Sequence, residues 1–100
     1  MRVYLAATVN DLRQLQEGAT LTLPCFEPVS DDELDEFAAL ADAADAGDVA
    51  IAADVEAPGG PIGLEHVASF HLDADGSGDL AWYATQEVGE VVALLDGSIS

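Results

Sequence analysis

The chain has 100 residues, enough for one domain with one core and too few for two. Half of the residues are hydrophobic, which excludes the low-hydropathy route to disorder, yet 20 are acidic against only Arg2 and Arg13, with no lysine. A net charge of −18 repels phosphate backbones and anionic lipid headgroups, so direct nucleic-acid binding and membrane attachment are not expected.

Arg2 to Thr8 (RVYLAAT) alternates Val3 and Leu5 against Tyr4 and Ala6, as a strand does. Thr8 with Asp11 three residues on forms a capping-box signal for a helix that turns Leu12 and Leu15 inward and stops at Gly18. TLTLPCF is a weaker extended run; Pro24 removes a backbone donor and confines it to an edge strand or a crossing loop. From Ser30 a long helix follows, with Ser30 as cap and Asp31, Asp32, Glu33 and Asp35 at the positive end of its dipole. Its helical periodicity selects Leu34, Phe37, Ala38 and Ala41, with Leu40 beside them, as the buried stripe, and Gly47 ends it.

DVAIAADV places Val49, Ile51, Ala53 and Val55 on one face and alanines on the other, the two-sided apolar pattern of an interior strand. APGGPIG is a loop, with no Gly-Lys-Ser/Thr after it to make a phosphate cradle. LEHVASFHL is expected as a strand with Ala68, Phe70 and Leu72 on one face, and DLAWYAT as the last strand, with Trp82 and Tyr83 on opposite faces. Thr85 then caps a helix with the stripe Val88, Val91, Val92 and Leu95. The order β-α-(β)-α-β-β-β-α predicts one α+β domain over residues 1–100. The expected architecture is a two-layer sandwich, a mostly antiparallel sheet with its helices on one face, related to the split β-α-β, ferredoxin-like arrangement.

The segments MRVYLAAT, DELDEFAALADAA, VAIAADV, HVASFHLD and LAWYATQEV occur in that order, the run from Trp82 to Glu87 being the most specific. Together they resemble a family of small uncharacterised proteins from high-GC actinobacteria whose members begin Met-Arg-Val-Tyr and end near Trp-Tyr-Ala-Thr-Gln-Glu. The resemblance implies no activity and no catalytic residues.

DADGSGDL, from Asp73 to Leu80, follows the first part of an EF-hand loop: Asp73, Asp75 and Ser77 at alternate positions, Gly78 at the sixth and Asp79 at the seventh. The ninth position is Ala81, and Ala84 stands where a bidentate glutamate is required. Gly76 and Gly78 equally suit a hairpin turn. The expectation is a turn, with a weak calcium site from Asp73, Asp75, Ser77 and Asp79 as the alternative and no other cofactor.

His66 and His71 are five residues apart on one expected strand, so they point to opposite faces and cannot share a metal. Ser69, His71 and Asp73 can be written as a Ser-His-Asp set, but no nucleophile elbow accompanies them. Cys25, flanked by Leu23, Pro24 and Phe26, reads as a small hydrophobe, and Arg2 and Arg13 as structural ion-pair partners. A lone cysteine offers no disulfide framework and the N-terminal apolar run is interrupted at Asn10 and Asp11, so the expected location is the cytoplasm. No coherent catalytic set emerges. The expected role is a non-catalytic acidic module that binds another protein, one with a basic surface suiting the field. A small enzyme with a site near Cys25 or His71 is the second alternative.

Overall fold

The computed structural model describes residues 1–73 and 80–96. The elements follow the expected order: β1 (Arg2–Ala7), α1 (Val9–Gln16), β2 (Cys25–Phe26), α2 (Glu33–Ala46), β3 (Val49–Asp54), β4 (Val67–Leu72), β5 (Ala81–Ala84) and α3 (Val88–Asp96). Single 3-10 turns at Leu64–His66 and Thr85–Glu87 lead into β4 and α3. The five strands form one sheet in the order β2-β1-β3-β4-β5, with every neighbouring pair antiparallel. The fold is α+β.

Both β2 and β3 run antiparallel to β1, which lies between them, and α2 joins the two. This is one split β-α-β unit, the element expected of a ferredoxin-like relative. β2 is the short edge strand that Pro24 allows, and the Pro24 carbonyl accepts the Ala6 N–H at 3.0 Å. β3, apolar on both sides, takes the middle of the sheet.

Alternation along β1 and β3 divides the core. Val3, Leu5, Ala7, Val49, Ile51 and Ala53 face α1 and α3, meeting Leu12, Leu15, Val88 and Val91. The sheet with these two helices makes the main layered body. Tyr4, Ala50 and Ala52 face the other way and are covered by Ala39 and Ala43 of α2. The expected gathering of all helices on one face is therefore corrected: α2 lies opposite α1 and α3. The physical reason is visible in β1 and β3, whose residues are buried on both faces and need cover on both.

Three local expectations change as well. Asp32, not Ser30, caps α2, accepting the Leu34 N–H at 2.8 Å; the Ser30 hydroxyl instead donates to the Asp35 carboxylate. β4 carries a bulge: Ala52 faces Ser69 and Ala53 faces Val67, so Ala68 is the extra residue. The bulge moves Val67 rather than Ala68 onto the core face with Phe70 and Leu72. Thr85 does not cap α3; its hydroxyl donates to the Val67 carbonyl at 2.7 Å, and the Glu87 carboxylate accepts the Ala84 N–H at 2.9 Å. The Thr8–Asp11 capping box forms as expected.

Candidate functional site

On the face that carries α2, the helix packs over β1, β3 and β2. The β4–β5 half of that face lies beside it, and the step between helix and sheet forms a groove of about 460 Å³. Phe37, Leu40, Ala41, Ala44 and Asp45 of α2 make its wall, His71 of β4 its floor and Leu80 one end. Trp82 stands directly across from His71 in the strand register, so its side chain lies on the same face.

Phe37, Leu40 and Ala41 of this wall belong to the stripe expected in the core. Leu34 is 79% exposed and Phe37 61%, and Trp82 is 63% exposed on the other side of the groove. The residues of α2 that are buried are Ala39 and Ala43, supported by Leu40 and Ala44. The expectation for Leu34, Phe37, Ala38 and Ala41 is thus overturned. β3 presents Ala50 and Ala52 here and β1 presents the buried ring of Tyr4, so Ala39 and Ala43 fill the space that remains, and a Phe or Leu in their place would hold the helix off. The signal was in the sequence: alanines four apart in α2 match the alternate alanines of β3.

A direct test follows from this inversion. Leu34→Ser and Phe37→Ser are each expected to change unfolding free energy by no more than about 0.5 kcal/mol, as exposed positions do. Ala43→Leu, although more hydrophobic, is expected to cost about 1–3 kcal/mol by overpacking. Urea unfolding of the three variants decides it, and the opposite ranking would mean that the helix buries its other side.

In the floor of the groove, the Ser69 hydroxyl and His71 Nε2 are hydrogen-bonded at 2.8 Å. Ser69 is buried and His71 half-buried, so only the imidazole faces the groove. Burial pushes the His71 pKa down, and the cation of Arg2 on the same sheet face adds to the effect. Asp45 is the charged side chain that α2 contributes to the groove wall. Because the folded state resists protonation here, it binds fewer protons than the unfolded chain below the ordinary histidine value of about 6.5. The His71 contribution to stability is accordingly full above about pH 6.5 and is lost as pH falls through the lowered folded value. Acidification also relieves carboxylate repulsion, in wild type and variant alike. The difference in thermal midpoint between wild type and His71→Gln is therefore the quantity to follow, and it is expected to move against the wild type between pH 7.5 and 5.5. Parallel curves would contradict it.

The other candidates do not converge on this groove. Cys25 pairs with Leu5 in the register, so it points to the α1–α3 face, where it packs partly buried against the core. It is on the opposite side of the sheet from His71. His66 is in the 3-10 turn rather than on a strand, and its Nδ1 accepts the Gly63 N–H at 3.0 Å. With Asp54, Glu56 and Pro61 it borders a more polar depression of about 510 Å³. Asp73 follows β4, whereas Asp75, Ser77 and Asp79, together with the turn assigned to Gly76 and Gly78, lie outside the described residues. Among the described residues, no group of three or more His, Cys, Asp or Glu side chains is arranged to hold a metal ion.

Both arginines are paired with carboxylates. Arg2 grips Asp54 through Nε at 2.8 Å and a terminal nitrogen at 3.2 Å, a hydrogen bond that lowers the Asp54 pKa, and Arg13 pairs with Asp96. Among the described residues no helix is long and apolar enough to cross a membrane. Comparison with protein-family models, curated proteins and solved structures yields no match.

Proposed function

We propose that this protein is a non-catalytic, acidic interaction module, and that the groove beside α2 docks a segment of another protein carrying an apolar anchor and basic side chains. The observation that carries this is the placement of three of the five large exposed apolar side chains among the described residues. Phe37 lines one side of a single groove, Leu34 lies one turn before it on the same helix, and Trp82 stands across from the groove residue His71, while Ala39 and Ala43 of α2 occupy the buried contact. Exposed aromatic side chains at the rim of a concavity are the usual anchors of protein interfaces. A net charge of −18 supplies long-range attraction and selects a basic partner over an acidic one.

Catalysis draws less support from the same geometry. Ser69 is only 5% exposed and Cys25 lies on the far face, so neither nucleophile is presented to the groove.

A photo-crosslinking amino acid at position 34, compared with one at position 17 beyond α1, tests the proposal. Adducts with basic proteins are expected from position 34 alone. They should fall by about tenfold with Phe37→Asp and weaken as salt rises, as for a hot-spot residue in an electrostatically steered contact. Equal labelling from both positions, or labelling indifferent to Phe37→Asp, would sink it.

A further inference from the structure

We infer that the segment docked in the groove is a basic amphipathic α-helix lying alongside α2, an inference that rests on the groove being an interaction site. The first reason is width. Two strands spaced about 4.8 Å apart offer a strip about 10 Å across, which is the diameter of one helix with its side chains. The opposite face of the same sheet seats two helices, α1 and α3, whereas this face seats α2 over β1, β3 and β2 and leaves β4 and β5 beside it.

The second reason is the shape of the wall. Phe37, Ala41 and Ala44 of the wall, continued by Leu34 one turn earlier, follow one another at three- and four-residue steps along α2, the stripe by which one helix packs along another. Ala41 and Ala44 allow a close approach at one end, and Phe37 and Leu34 project at the other. The floor is shallow, with Ser69 and Ala84 paired across the strands next to His71 and Trp82. An extended peptide added to the outer edge of β5 would leave this step unfilled. α2 has 14 residues, and a helix of similar length, about 20 Å, would run beside it from end to end.

Charge decides what kind of helix. Asp45 lines the groove, Asp42 and Glu33 are exposed on α2, and the molecule as a whole carries −18. A second copy of this chain would bring the same negative charge and be repelled, so self-association is not the expected use of the groove. Lysine or arginine on the outer side of the incoming helix would meet the α2 carboxylates, while its apolar stripe covers Phe37, His71 and Trp82.

Two synthetic peptides of about 18 residues, long enough to form a helix on binding, supply the test. Both contain only leucine and lysine in the same numbers; one spaces leucine at helical period and the other alternates strictly. Trp82 is the chain's single tryptophan and stands across from the groove residue His71, so its emission reports on the groove. At about 150 mM salt, where long-range attraction is screened, the helical-period peptide is expected to bind saturably and shift Trp82 emission to the blue. It should also gain helical circular dichroism and bind at least about tenfold more tightly than its alternating isomer, and Phe37→Asp should remove most of that advantage. Equal affinity of the two peptides, or tighter binding of the alternating one, overturns the helix while leaving the groove in place if Phe37→Asp still weakens binding. Binding of either peptide that ignores Phe37→Asp, or no binding at all, overturns the groove as well.

Discussion

Replacing Phe70 with alanine is expected to lower the unfolding free energy by about 3–5 kcal/mol, the largest effect of any single substitution considered for this protein. Phe70 has no exposed surface and heads the fully buried side chains in volume. It sits on β4 between Ile51 of β3 and Tyr83 of β5 in the strand register, on the face closed by α1 and α3. Truncation removes the apolar burial of the ring and leaves a cavity that cannot collapse, because hydrogen-bonded strands on both sides hold the walls apart. A domain of this size has about 5–15 kcal/mol to lose, so the variant should melt about 15 °C or more below wild type. Thermal unfolding followed by circular dichroism reads the shift. A loss under about 1 kcal/mol would mean that the α1–α3 face is not a packed core.

The second large effect is expected at Gly47, between α2 and β3. A β-carbon there would lie 2.8 Å from both the nitrogen and the oxygen of Ala7 and 3.3 Å from the carbonyl carbon of Ala6. These are backbone atoms of β1 and cannot rotate away. The backbone of Gly47 is itself ordinary, with φ −143°, so the penalty is one of space and not of conformation. Next to it the Asp48 N–H donates to the Ala7 carbonyl at 2.9 Å, the bond that ties the end of α2 to the end of β1. Gly47→Ala is expected to push this junction apart and cost about 2–3 kcal/mol. Gly60→Ala is the control: nothing lies within 4 Å of its added carbon, so its stability should match wild type within about 0.5 kcal/mol. Equal midpoints for the two variants in urea would show that β1 does not approach the α2–β3 turn as described.

Much of the chain's local structure is legible from short-range chemistry. The Thr8–Asp11 pair caps α1, Pro24 keeps β2 short and at the edge, and the Val88–Val91 stripe turns α3 inward, all within a few residues of the signal. The two-sided apolar run of β3 correctly marks the middle of the sheet because only an interior strand buries both faces. Apart from the α2 cap, which passes from Ser30 to Asp32, the expectation failed over partners distant in the chain. The Ala68 bulge depends on how β4 meets β3, and the hydroxyl of Thr85 is diverted to Val67 by the proximity of a strand 18 residues earlier.

The candidate site shows the same division more sharply. The pairing of His71 with Ser69 is local to β4, two residues apart on one strand face, but the position of His71 in the floor of a groove depends on α2 lying over β1 and β3. Periodicity places Phe37 in the core because hydrophobicity along one helix ranks its side chains by their preference for burial. It cannot rank them by fit to a surface contributed from elsewhere.

The sequence by itself determined the α+β class, the order of elements, the central place of β3 and the net charge of −18, since composition and periodicity act within one segment or over the whole chain. Tertiary structure alone decided that α2 lies opposite α1 and α3, and that it turns Ala39 and Ala43 toward the sheet, Phe37 toward the groove and leaves Leu34 exposed. The reason is packing: Ala39 and Ala43 fit against Ala50, Ala52 and the ring of Tyr4 where larger side chains would not, and that gain exists only once the two surfaces meet.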